Sequence, residues 1–180
     1  MLTLDNTTLV IIDVQGKLAQ LMAQKEVLFE NLQKLIKGVQ VLELPIIWNE
    51  QLPEKLGPTT PEIAHLLAQT TQPIAKSSFS CCGNPPFMGA LKATGRKQVL
   101  LAGIESHVCV YQTCRDLLDL GYEVQVVADA VSSRAAENRQ TGLERMKDAG
   151  ATVTSTEMAL FELLRVAEGP KFKEITKIVK

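Results

Sequence analysis

Six short runs of β-forming apolar residues, separated by longer stretches with apolar residues every three or four positions, limit most strongly how this chain folds. The runs are 8 to 13 "TLVIID", 45 to 48 "PIIW", 73 to 75 "PIA", 98 to 103 "QVLLAG", 123 to 128 "EVQVVA" and 151 to 154 "ATVT". Between them, "EVLFENLQKLIKGVQVL" and "CVYQTCRDLLDLGY" carry the spacing of helices packed on a sheet, and "AENRQTGLERMKDAG" reads as a further helix. Gly121 and Gly150 stand where those last two helices should stop. A strand followed by a helical crossover returns parallel to itself, so the alternation predicts an α/β fold. The expected form is a Rossmann-like three-layer sandwich with a mostly parallel six-stranded sheet and helices on both faces. Residues 49 to 60, "NEQLPEKLGPTT", hold two prolines and a glycine and read as the longest loop. The closing "PKFKEITKIVK", about 170 to 180, reads as an amphipathic tail docked on the domain or on a neighbouring subunit.

The chain has 180 residues and is 46% hydrophobic, enough for one domain, 1 to 180, with a core of its own. Its 19 basic and 20 acidic residues give a net charge of -1 with no basic block, which offers no electrostatic footprint for nucleic acid or an acidic membrane. The N-terminal apolar run carries Asp13, lacks a basic segment before it and is too short to span a bilayer. A cytoplasmic protein with a small-molecule substrate is the expectation. Cys81, Cys82, Cys109 and Cys114 contain no C-x-x-C pair, so neither a zinc knuckle nor a thioredoxin-type motif is indicated.

In open parallel sheets, ligands bind beyond the carboxyl ends of the strands, where the strand order reverses. Asp13 ends the first run, Trp48 to Glu50 the second, Lys76 follows the third, and Gly103 to Cys109 the fourth. Asp13 and Lys76 follow buried runs, where a lone charge is costly unless it is paired. Cys109 stands where a helix begins, and the unpaired amides and dipole of a helix N-terminus favour thiolate. The expected thiol pKa therefore lies below the ordinary value. A carboxylate to take the thiol proton, and an ammonium to support the charges, make a coherent nucleophile site.

These residues resemble a known family. Asp13 in "VIIDVQ", Lys76 in "AKSSFS", Cys109 in "GIESHVCVYQT" and the later "VVADAVSSR" are similar, in that order, to the isochorismatase-like cysteine hydrolases, over about residues 7 to 165. The resemblance implies a catalytic triad of Asp13, Lys76 and Cys109. It also implies a cis peptide at Ile104 to Glu105, with the Glu105 and Cys109 amides aimed at an oxyanion. Nicotinamidases of that family bind metal through an Asp and two His after the second strand. This chain has no histidine there, so no metal is expected. True isochorismatases cleave a vinyl ether without a cysteine nucleophile, which Cys109 argues against.

Trp48, Gln51 and Phe79 are candidates for the substrate wall, with core packing the competing reading for Trp48 and Phe79. His107 is two residues from Cys109, a spacing that points helical side chains apart, and His65 reads as an ordinary helix-face residue. Cys114 reads as core, and Cys81 and Cys82 as packed or exposed thiols. Asp129, Ser132, Ser133 and Arg134 read as fixing the loop after the fifth strand and capping the next helix. Without G-x-G-x-x-G or Walker patterns, no nucleotide cofactor is expected. The function expected is metal-independent hydrolysis of a small amide or related carbonyl compound by a homo-oligomer. The alternatives are a ligand-binding or interaction module on the same fold, or a thiol redox protein using Cys81, Cys82 and Cys109.

Overall fold

A computed structural model describes residues 1–180. Strand β1 (Thr7–Ile12) lies at the centre of a six-stranded sheet with β2 (Ile46–Gln51), β3 (Pro73–Lys76), β4 (Gln98–Ile104), β5 (Glu123–Ser132) and β6 (Thr152–Thr154). The order is β3-β2-β1-β4-β5-β6. Every pairing is parallel, so the expected "mostly parallel" sheet is wholly so. Two leaves grow outward from β1, toward β2 on one side and β4 on the other. The strand order therefore reverses between β1 and β4, which is where a crevice opens at the carboxyl edge.

The helices are α1 (Gly16–Gln20), α2 (Lys25–Val41), α3 (Pro53–Leu56), α4 (Pro61–Leu67), α5 (Pro85–Ala93), α6 (Tyr111–Asp119), α7 (Ala136–Asp148), α8 (Thr156–Leu164) and α9 (Gly169–Val179). Why β1 is apolar from Leu9 to Ile12 is visible in the core. Leu9 and Ile11 face one cluster with Leu28, Leu32 and Leu35 of α2, whereas Val10 and Ile12 face the other with Leu91 and Leu117. A strand buried on both faces reads as a continuous apolar run because neither face meets water. Each fully buried leucine of α2 contributes about 1.5 to 3 kcal/mol, and Leu35→Ala would cost about 2 to 5 kcal/mol.

Two segments depart from the sequence reading, and the tail takes one of its two expected positions. The expected loop at 49 to 60 instead continues β2 through Gln51 and then forms α3. Asn49, Glu50 and Gln51 are polar yet buried, because pairing with β3 runs on to Gln51 beside Lys76. Polar side chains in a strand obscured that continuation. Strand β5 runs to Ser132, beyond the expected 128, after an irregularity in its pairing with β4 between Leu101 and Gly103. The tail is α9, which packs on α2 of its own chain, with Ile175 buried and Lys34 Nζ donating to the Val179 carbonyl at 3.3 Å. Gly121 and Gly150 follow the ends of α6 and α7, as the sequence predicts. No helix is long and apolar enough to cross a membrane.

Candidate active site

Asp13 follows β1 with φ 55, a left-handed conformation that costs a non-glycine residue about 1 to 2 kcal/mol. Two backbone bonds hold it there, Asp13 N–H to the Asn49 carbonyl at 3.1 Å and Gln15 N–H to the Asp13 carbonyl at 2.8 Å. This bend turns the carboxyl into the crevice between β1 and β4. Gly103 makes the close approach of β4 possible, since its φ is 121 and an added Cβ would stand 2.1 Å from the Ile12 carbonyl oxygen.

Lys76, at the end of β3, reaches Asp13 from the side. Its Nζ donates to Asp13 Oδ2 at 2.7 Å, to Gln51 Oε1 at 2.6 Å, and to the carbonyls of Phe79 at 3.1 Å and Ser78 at 3.2 Å. The Lys76 and Asp13 side chains are 0% and 2% exposed. Burial pushes the Asp13 carboxyl above its ordinary range, with the Lys76 ammonium opposing. Asp13 Oδ1 is buried and has no hydrogen-bond partner.

Cys109 lies in a wide π turn, Ser106–Val110, that leads into α6, rather than in the first turn of a regular α-helix. The turn closes on Glu105, whose carbonyl accepts from Val108 N–H at 3.1 Å and Val110 N–H at 3.2 Å. Helix α7 presses on the turn through Gly142, where a Cβ would stand 2.8 Å from the Ser106 carbonyl oxygen. The peptide between Ile104 and Glu105 is cis. Contrary to the sequence expectation, the Cys109 thiol is pushed up: burial contributes most and the negative charge of Asp13 adds to it, outweighing Lys76. Cys81 and Cys114 are likewise pushed up to about 12 and Cys82 to about 11, in each case chiefly by burial.

Asp13, Gln51, Phe79, Ile104, Glu105 and Cys109 line one cavity of about 110 Å³. Larger hollows of about 580 and 700 Å³ lie against α2 and α9 and against α7 and β6, and neither is lined by a cysteine. Phe79 is exposed at the cavity edge. Trp48, expected at the substrate wall, is instead in the core, with its indole N–H donating to Thr59 Oγ1 at 2.8 Å. Gln51 does face the cavity, and its Nε2 donates to the Ser77 carbonyl at 2.8 Å.

The sequence reading missed the bracket behind these groups. Gln15, fully buried, donates through Nε2 to the carbonyls of Gln51 at 3.0 Å and Gly57 at 2.7 Å, and accepts from Gln51 N–H at 2.6 Å. Glu50 Oε1 accepts from the amide and the hydroxyl of Thr59, both at 2.7 Å. A signal was available, since Gln15 and Glu50 are polar residues beside strand ends.

Other candidates have structural partners. His107 Nδ1 meets Ser133 Oγ at 2.9 Å, and His65 is exposed on α4. Asp129 Oδ1 accepts from the amide and hydroxyl of Thr156, so it fastens α8 rather than the next helix, α7. Ser132 Oγ donates to the Ala23 carbonyl at 2.7 Å, and Arg134 N–H and Nε both donate to Glu105 Oε1 at 3.1 Å. All four cysteines are free, and no group of three or more His, Cys, Asp or Glu side chains is arranged to hold a metal ion.

A crevice lined by a cysteine and a carboxyl residue at the switch point of a parallel sheet defines the class, and the family follows. The isochorismatase domain matches residues 7–158, and the chain belongs to the isochorismatase family. It is 39% identical to the "Secreted isochorismatase effector Isc1" of Phytophthora sojae, over 97% of this chain and 85% of that one. It is 37% identical to "Isochorismatase domain-containing protein 2A" of Mus musculus, over 98% and 84%. Among solved structures, it is similar to the MAR1 ribonuclease of Caenorhabditis elegans, with TM-score 0.93 and 38% identity over 99% of this chain and 91% of that one. It is also similar to YcaC from Pseudomonas aeruginosa, described with hexane-2,5-diol and covalent acrylamide, with TM-score 0.92 and 26% identity over 98% and 90%.

Proposed function

We infer that this isochorismatase-family hydrolase cleaves a small amide or related carbonyl compound through Cys109, without a metal. The observation that carries the reading is the buried Lys76–Asp13 pair at 2.7 Å, which leaves Oδ1 without a partner while Asp13 lines one cavity with Cys109. Cys109 Sγ attacks the carbonyl carbon while its proton passes to Asp13, so thiolate forms only as the new bond does. The Glu105 and Cys109 amides hold the oxyanion. Asp13 returns the proton to the leaving nitrogen as the C–N bond breaks, leaving a thioester. Water, deprotonated by Asp13, attacks the thioester, and the acid leaves as the thiol is restored. Lys76 keeps Asp13 Oδ2 occupied. The covalent acrylamide described for Pseudomonas YcaC supports a reactive nucleophile in that similar protein.

Ammonia release from a panel of small amides, with Cys109→Ala as the blank and a chelator as control, tests this reading. Equal release by the blank, or loss of activity to chelator with recovery on adding metal, overturns it. The ribonuclease name of the Caenorhabditis relative motivates a second reading. A net charge of -1 and carboxylates in a cavity of about 110 Å³ weigh against a polyanion, and incubation with RNA decides. We further assign the chain to a homo-oligomer, on the exposed apolar side chains Leu21, Leu120, Val153 and Met158, and to the cytoplasm, on its four free cysteines. The Phytophthora relative is named as secreted, so cell fractionation is the check on location.

A further inference from the structure

The charges around the cavity restrict what enters it. An ammonium has three N–H bonds, and Lys76 Nζ already has four oxygen acceptors at 2.6 to 3.2 Å, so no donor of Lys76 is left for a ligand. Arg134 is held on Glu105 at 3.1 Å with its side chain 60% exposed, out in water. The ionisable residues that line the cavity besides Cys109 are Asp13 and Glu105, both acidic, with Glu105 Oε1 accepting from Arg134. Glu50 stands close enough behind them for its charge to act on Asp13. The rest of the wall is apolar, from Leu18, Leu56, Phe79, Ile104 and Val108. A volume of about 110 Å³ corresponds to about four waters' share of liquid volume. Asp13 Oδ1, the atom that must protonate the leaving nitrogen, is buried from solvent, which suits an unsubstituted NH₂.

On the hydrolase reading above, we propose that the substrate is a short, uncharged aliphatic primary amide, and that amides bearing a carboxylate are rejected. The chain packs on the apolar wall and the carbonyl faces the Glu105 and Cys109 amides. Water and the amide give a carboxylate and ammonia, and the same acidic residues, Asp13, Glu105 and Glu50, that disfavour an anionic substrate favour expulsion of the anionic product.

Isobutyramide and oxamate have the same number of non-hydrogen atoms and the same amide, and differ in the charge on the far end. Ammonia release by the full chain should favour isobutyramide by at least about a hundredfold in kcat/KM, with nicotinamide, a bulkier aromatic amide, also poor. Glu105→Gln removes the negative charge of one lining residue and should narrow the gap between isobutyramide and oxamate by about tenfold. In parallel, peptide mass spectrometry reads how far each compound protects Cys109 from iodoacetamide. Protection by isobutyramide and not by oxamate, without hydrolysis of either, supports the ligand class while the hydrolase reading fails. Turnover of oxamate or nicotinamide as fast as isobutyramide, or equal protection or none by isobutyramide and oxamate, overturns the proposal.

Discussion

Lys76→Met removes an ammonium and keeps most of its aliphatic stem, so it isolates a charge. In the wild type that ammonium sits 2.7 Å from Asp13 Oδ2, with side chains 0% and 2% exposed. Without it, burial and the like charge of Glu50 both push the Asp13 carboxyl up, and the two Lys76 contributions that oppose them are gone. Breaking a buried pair by removing one partner costs about 3 to 5 kcal/mol. The loss should depend on pH in a definite direction. Asp13 in the wild type already titrates above its ordinary 3.8, and in the variant it titrates higher still. Between those two values the variant's native state keeps a proton that the wild type has released. The deficit is therefore smallest below the wild-type value and grows with rising pH by up to about 1.4 kcal/mol per unit, until the variant's own value is passed. Urea unfolding of both proteins at about pH 5 and about pH 7.5 measures it. Asp13→Asn combined with Lys76→Met should recover much of the stability, because neither charge is then left unpaired. An equal deficit at both pH values, or a double variant no more stable than Lys76→Met, refutes the buried-pair account.

Asp13→Asn should speed iodoacetamide labelling of Cys109 near neutral pH while abolishing hydrolysis, since it removes a charge that raises the thiol above its ordinary 9.0. Slower labelling at matched pH contradicts that. Gly103→Ala should cost about 3 kcal/mol or more, from its φ of 121 and the 2.1 Å clash with the Ile12 carbonyl oxygen, as read by the urea midpoint. Gln51→Leu leaves Lys76 with one acceptor fewer and should lower kcat about tenfold or more with little change in urea slope; unchanged kcat refutes its role in holding Lys76. Sedimentation should give a species well above the 19.7 kDa chain mass, and a single species at that mass refutes the oligomer.

The frame of the site is legible in the sequence because strand ends are. Buried runs that terminate in Asp13 and Lys76, with Cys109 just beyond a third, mark the same edge of one parallel sheet, and the structure brings all three together. What pattern reading loses is the polar interior. Asn49 and Gln51 look like part of a loop because the groups that hold them, on Ile11, Ser77 and Gln15, are distant in sequence, whereas Glu50 is held by Thr59 within the same stretch. Trp48, read as a strand end, lies within β2 and shares the core face of Ile46, with its indole N–H held by Thr59. The thiol shift ran opposite to expectation for a related reason. A helix N-terminus can be inferred from sequence, but the extent of burial at Cys109 and its place in a π turn cannot.

Whether Cys109 becomes acylated is the most direct test of the account. Wild-type protein mixed with the best amide of the panel, acid-quenched during turnover and digested, should carry the acyl group as a thioester on the peptide containing Cys109. The added mass should vanish once the amide is consumed and should be missing in Cys109→Ala, which should also release no ammonia. Unimpaired hydrolysis by Cys109→Ala, or an acyl group found on another residue, would contradict it.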